Sequence, residues 1–234
     1  MTRNLIIISL LIFTFIETSA QQLLSPSYSY SKKKTSYITL TDGTEIQGTI
    51  RDIDREKGLI KFIKIKDGSG KKHKLKPESV KFMYLPQTAH DKYVKAIDIL
   101  NNVQKWSDET LNQDILNQGY VYFELADVKI KKKNKKLLMQ LLNPGFSKQV
   151  KVYHDPYASE TMSAGIGSIK IVGGKEKSYY IAKGNNPAYK LKKKNYKKEF
   201  LPLWNSCENV ISDYPDQKWS NLTKHIITFS ECKG

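Results

Sequence analysis

The sequence predicts an α+β protein: a small N-terminal β-barrel, a helical connector, a second β-rich unit and a C-terminal helical hairpin. Three observations carry this. Residues 36–86 and 120–184 alternate apolar and polar side chains between Gly, Pro, Asn and Asp turns, the period of half-buried strands. Residues 87–119 and 189–234 instead repeat apolar side chains every three or four positions, the period of amphipathic helices. Hydrophobic residues make up 39% of the chain. That lies below the roughly 45–50% usual for globular domains and fits small units or a long exposed sheet.

The first twenty residues have a secretory pattern. Arg3 supplies a positive start, Leu5 to Ile16 is an almost unbroken apolar run, and Thr18-Ser19-Ala20 precedes Gln21. Residues 1–20 are expected to be a signal peptide cleaved after Ala20. The run is shorter than the about 20 apolar residues a membrane span needs. No later segment is apolar enough to hold the chain in a membrane, and no Cys follows the run to carry a lipid. The mature chain is therefore expected to be exported to the periplasm, the cell surface or the medium. Its two cysteines, Cys207 and Cys232, form an even count in an exported chain and predict one disulfide. Closing that loop contributes on the order of 3 kcal/mol in the chain-entropy model.

Residues 21–35, rich in Ser, Tyr and Lys, read as a flexible leader. In 36–86, Tyr37 to Leu40 alternates and ends at Asp42-Gly43, a strong turn dipeptide. Glu45 to Ile53, Leu59 to Ile65, Lys72 to Lys76 and Val80 to Leu85 follow, separated by the turns at Asp54–Gly58 and Asp67–Gly70. Five short strands with tight turns suggest a barrel, and Gly48 inside the second marks a sharp bend. In 87–119, Ala89, Tyr93, Ala96, Ile97, Leu100 and Val103 share a helical face. Ser107 is placed to cap a second short helix, with Asp108 and Glu109 in its first turn and Gly119 at its end.

The second β unit starts with Tyr120 to Lys131 and continues through a basic loop, Lys131 to Lys136, into the apolar run Leu137 to Leu142. Strands at Val150 to Tyr153, Ser168 to Val172 and Tyr179 to Ala182 come next. From Tyr189 the pattern turns helical. Tyr196, Phe200, Leu203, Cys207 and Val210 form one stripe, with Pro202 either kinking that helix or opening it. Trp219, Leu222, Ile226 and Phe229 form a second stripe, so a Cys207–Cys232 bond would staple a hairpin.

The stretch Ile38-Thr-Leu-Thr-Asp-Gly-Thr-Glu-Ile-Gln-Gly-Thr-Ile50 resembles the SH3-like small barrels, including the Sm-like variety. The resemblance implies their fold. It does not extend to RNA binding, since the Arg-Gly motif of Sm-like barrels is missing and the chain carries an export signal. The C-terminal part resembles a group of exported proteins of Bacteroidota-type bacteria. The matching residues are Tyr179-Tyr180-Ile-Ala-Lys183-Gly184, Tyr196-Lys197-Lys198, Cys207 and Cys232, with Pro202 a departure. That resemblance implies an export address and no particular activity.

The net charge of +16 favours polyanionic partners such as nucleic acid, lipopolysaccharide or acidic polysaccharide. Nearly all of it is Lys, with Arg only at positions 3, 51 and 55. Phosphate readers favour Arg, so composition alone makes no site. The Lys clusters are Lys32–Lys34, Lys71–Lys76, Lys131–Lys136 and Lys192–Lys198. The candidate polyanion-binding residues are Lys131, Lys132, Lys133, Lys135 and Lys136, with Lys192, Lys193, Lys194, Lys197 and Lys198, the last group interleaved with Tyr189 and Tyr196.

His73, His90, His154 and His225 have no metal-ligand spacing, and no cofactor or metal is expected. Ser163 to Gly167 is glycine-rich without the Lys-Ser/Thr of a phosphate loop. The sequon Asn221-Leu222-Thr223 lies on the apolar stripe and is discounted. The function expected is a non-enzymatic binding or assembly protein of the periplasm or cell surface, with a protein or cell-envelope partner. One alternative is a polyanion binder. The other is a hydrolase-type enzyme assembled around His154 and Asp155.

Overall fold

The computed structural model describes residues 23–88, 111–157 and 177–232. Over these residues the chain is a mixed α+β protein dominated by a ten-stranded sheet, with three of its four α-helices following the last strand.

Five strands make the first half: β1 (Thr35–Leu40), β2 (Glu45–Glu56), β3 (Leu59–Asp67), β4 (Lys72–Leu75) and β5 (Val80–Pro86). A 3₁₀ turn, Pro77–Ser79, joins the last two. The order β4-β3-β2-β1-β5 is antiparallel throughout. Two devices shape it. Lys57 and Gly58 both take positive φ, 50° and 82°, which gives the two-residue β2–β3 hairpin its twist. At Gly48 the neighbouring strand comes so close that a Cβ would sit 2.1 Å from the Lys66 carbonyl oxygen. The glycine read as a bend is thus required by a close backbone approach.

Among the described residues the sheet is open at its β4 edge, and the first five strands do not close into a barrel of their own. A strand has only two edges. β5 spends one on β1 and the other on β6 (Tyr120–Ile130), from Phe82↔Glu124 to Pro86↔Tyr120, while among the described residues β4 pairs with β3 alone. The core of this half is shared accordingly. Ile38, Ile63, Ile65, Met83 and Leu85 pack with Val121 and Phe123 of β6 and with Leu138.

β6 organises the second half. Along one edge it pairs with β7 (Lys133–Gln140). Along the other it pairs first with β5 and then, in parallel, with β10 (Ala188–Lys192). β10 pairs with β9 (Ser178–Lys183), and β9 with β8 (Val150–His154). The bridge Leu141↔Tyr153 and the bond from Leu142 N–H to the Val152 carbonyl (2.8 Å) return the path to the end of β7. The pairings of β6, β10, β9, β8 and β7 therefore form a ring.

Alternation gives this ring two faces. Val150, Val152, Tyr179, Ile181 and Leu191 face the helices and pack with Phe200, Leu203, Trp204, Val210, Ile226 and Phe229. Ala126, Val128, Met139, Tyr153, Tyr180, Ala182 and Ala188 occupy the opposite face. The short helix α1 (Gln113–Asn117) packs beside them through Leu116, capped by Asn112.

Several expectations change. The leader is anchored: Ser27 is 3% exposed, Tyr30 bridges to Gln87, and Leu24 N–H donates to the Leu142 carbonyl. Residues 188–192 form a strand where helix was expected from Tyr189, because Tyr189 and Leu191 alternate with Ala188 and Lys190 against β9. The single stripe from Tyr196 to Val210 is two helices, α2 (Tyr196–Trp204) and α3 (Glu208–Asp213), with Cys207 at the start of the second. Pro202 lies inside α2 on its exposed side, neither opening nor ending it.

Helix α4 (Leu222–Glu231) completes the set. The predicted disulfide is present: Cys207 and Cys232, Cα atoms 6.0 Å apart, tie the start of α3 to the end of α4. The expected signal peptide, most of the connector including His90, the glycine-rich stretch 163–167 and the strand at 168–172 lie outside the described residues.

Candidate functional site

Three features merit chemical reading: the lysine clusters, two lysine–carboxylate pairs on one sheet face, and two clefts beside the β2–β3 hairpin.

Lys131 to Lys136 is not a loop. Lys131 takes φ 56° in a two-residue turn, and Lys133 already belongs to β7. The strand period then divides the cluster. Lys133 opposite Ile130 and Lys135 opposite Val128 lie on one face, while Lys136 opposite Asp127 lies on the other. Lys131 and Lys132 form the exposed tip. The second cluster starts at the end of β10 with Lys192, passes through the 3₁₀ turn Lys193–Asn195, and reaches Lys197 and Lys198 in the first turn of α2. All ten candidate lysines are exposed.

Register brings the two clusters together. β10 runs parallel to β6 with Ala188↔Val128 and Tyr189↔Lys129. Lys135, Val128 and Ala188 thus form one row across three strands, about 10 Å wide at the usual strand spacing. Both clusters leave the sheet at the same end, where β6 turns into β7 and β10 runs out. Exposed Lys177 joins them, its carbonyl accepting from Lys193 N–H at 2.9 Å. Of the other clusters, Lys32–Lys34 precedes β1, and Lys71–Lys76 belongs to β4 and its turns.

On the ring face opposite the helices, Glu124 accepts both Lys151 Nζ (2.8 and 2.9 Å) and the Tyr153 hydroxyl (2.7 Å). Burial, and secondly the Glu124 charge, pushes the Tyr153 phenol far above its ordinary range. Nearby, Asp155 is fully buried and accepts Ser178 Oγ at 2.6 Å and Lys190 Nζ at 2.7 Å. Lys190 also lies over the rings of Tyr157 and Tyr180. These carboxylates are held as neutralised pairs. His154 and Asp155, adjacent in sequence, meet different surroundings: His154 sits edge-on to Tyr28.

The larger cleft, about 540 Å³, is a groove between the β2–β3 hairpin, the 3₁₀ turn after β4, and β7. Lys57, Lys61, Lys76, Phe62, Leu137 and Tyr157 line it together with Glu56 and Glu78, and Lys61 pairs with Glu56 at 3.2 Å. Leu137, which lines the groove, lies on the same face of β7 as Lys135 and Lys133. The smaller cleft, about 70 Å³, is also lined by this hairpin, through Arg55, Gly58, Leu59 and Ile60.

The other two described histidines, His73 and His225, are structural. His73 pairs with Asp67 at 2.7 Å in the β3–β4 turn, which holds the Asp67 carboxyl well below its usual range. His225 on α4 is fully buried among Tyr196, Phe200, Trp204 and Tyr214. Among the described residues no group of three His, Cys, Asp or Glu is placed to hold a metal, and no helix is long and apolar enough to cross a membrane.

Sequence reasoning missed the Glu124–Lys151–Tyr153 cluster and the small cleft with Arg55. Their members lie on different strands, and only pairing brings them together. Compared with known proteins, the chain matches no family model, no curated sequence and no solved structure.

Proposed function

We propose that this chain is an exported, non-enzymatic binding protein that holds an acidic polymer at the basic end of strands β7, β6 and β10. The observation that carries the reading is the parallel β6–β10 register, which sets Lys131–Lys135 beside Lys192–Lys194. Separated clusters would be solvating charge, whereas adjacent ones can contact successive anionic groups and release their counterions. The neighbouring groove adds Lys57, Lys61 and Lys76 with Phe62 and Tyr157 for stacking.

Export is supported by the Arg3, Leu5–Ile16 and Ala20 pattern and by the disulfide, which fits an oxidising compartment. The five antiparallel strands, tight turns and close approach at Gly48 support an SH3-like unit opened onto β6. The hydrolase alternative draws less support, because Asp155 is committed to Ser178 and Lys190.

The test is elution of the mature protein from heparin as salt rises. Changing Lys131, Lys132, Lys133, Lys135 and Lys136 to Gln should lower the eluting salt and flatten the salt dependence, by about one unit of slope for each lysine–anion pair removed. Changing Lys32, Lys33 and Lys34 to Gln should do much less. Equal effects per lysine removed from the two sets would show that only net charge matters and would overturn the assignment of a site.

A further inference from the structure

The smaller cleft carries an inference independent of the lysines. Gln140, the last residue of β7, is 3% exposed, and its Oε1 accepts the backbone N–H of Ser27 at 3.1 Å. A backbone N–H can be received only by the amide oxygen, so the orientation of this amide is settled by its partner. The other end, Nε2, is buried with no hydrogen-bond partner among the described residues. A buried donor of this kind calls for something to receive it. Gln140 lines the cleft, whose volume of about 70 Å³ exceeds what one water needs.

Arg55 lines the same cleft from the β2–β3 hairpin. It is one of only three arginines in a chain whose positive charge is otherwise lysine. Its guanidinium is positioned by bonds to the Gly58 carbonyl (3.2 Å) and the Tyr30 hydroxyl (3.4 Å), two of its five N–H donors. Among the described residues no Asp or Glu lines the cleft. Ile60, Phe123, Leu138 and Met139 form its apolar wall, and Tyr28, 57% exposed, stands at the rim.

We propose that this cleft binds a small monocarboxylate, with its oxygens between the Arg55 guanidinium and Gln140 Nε2 and its hydrocarbon end on the apolar wall. The wall and the planar guanidinium fork fit a carboxylate with a short apolar tail better than a hydrated phosphate or sulfate. One guanidinium matches one negative charge. None of the ten lysines of the basic strand end lines this cleft, so the two sites are separable.

The test is an NMR titration of isotope-labelled mature protein with sodium butyrate to about 50 mM, a range that reveals weak millimolar binding. Sodium chloride and the neutral analogue butyramide serve as controls. The expected result is a saturable shift of the Gln140 side-chain amide and the Arg55 Nε–H with butyrate alone. The variant Gln140→Glu keeps the acceptor for Ser27 but turns the donor into a second negative oxygen. It should weaken butyrate roughly tenfold or more while leaving elution from heparin unchanged. A wild-type amide that does not respond, or responds equally to butyramide, overturns the proposal, as does a Gln140→Glu variant that binds butyrate undiminished. Should that variant fail to fold, the wild-type titration decides alone.

Discussion

Acidification from pH 7.5 to 5 should destabilise this protein by about 2 kcal/mol through His225 alone. The Trp204 indole N–H donates to the Tyr196 hydroxyl oxygen at 3.0 Å, and the same hydroxyl shares a hydrogen bond of 2.5 Å with His225 Nδ1. His225 is fully buried on α4. Burial lowers its pKa from an ordinary 6.5 to about 4, against a smaller upward pull from the Tyr214 backbone and Asp216, with Lys224 pushing down. The folded value lies below the unfolded one, so the unfolded chain binds more protons between them. Stability is full above pH 6.5, falls as pH drops, and levels off below about 4. At pH 5 the unfolded imidazole is almost wholly protonated and the native one only about a tenth, which gives roughly 2 kcal/mol; at pH 4 the loss reaches about 3 kcal/mol.

The assay is urea unfolding at pH 7.5 and 5, followed by Trp fluorescence, with the disulfide intact. A His225→Phe variant should lose most of the pH dependence between those values. The imidazole resonance of His225, followed by NMR in the folded protein, measures the pKa directly and does not depend on the variant folding. A native pKa above about 6, or an unfolding midpoint that stays constant between pH 7.5 and 5, would refute the reasoning.

Gly48→Ala should cost about 1–3 kcal/mol, seen as a lowered melting temperature, because the added methyl would collide with the Lys66 carbonyl and the Asp67 Cα. Replacing Cys207 and Cys232 together by Ser opens a loop of sequence separation 25 and should cost on the order of 3 kcal/mol in urea unfolding, with little effect if the helices hold through packing alone. Glu124→Gln removes the charge beside the Tyr153 hydroxyl, so that phenol should titrate lower than in the wild type, though still above its ordinary value because burial is the larger cause. Ultraviolet difference titration reads this.

Much of the local structure was legible. Asp42-Gly43, Asp67–Gly70 and the alternation of Ile60, Phe62 and Lys64 marked β2 to β4 within a few residues. The same was true of the stripe Leu222, Ile226, Phe229 and of the cysteine pair. The misread segments share a cause. Lys131 to Lys136 is too polar to look like a strand alone, yet it completes β7 because β6 supplies a partner for every residue from Lys133 onward. Ser27 and Tyr30 sit in a segment without periodicity, and are anchored by Gln87 and Gln140, distant in the chain. Of the candidate site, the lysines were visible from their runs. Their division between two faces of β7 followed from the strand period only once the strand was known.

By itself the sequence determined the composition, the export pattern, the turns, the helix and strand periods, and the pairing of its two cysteines. Each of these depends on residues close in the chain or on simple counting. Tertiary structure alone decided that β5 gives its second edge to β6 and leaves the sheet open. It also decided that β10 lies parallel to β6, and that Arg55 and Gln140 face one cleft. Those are choices among many strand edges offering the same N–H and C=O groups. They are made by which side chains, far apart in sequence, bury the most apolar surface together, and no local pattern records that outcome.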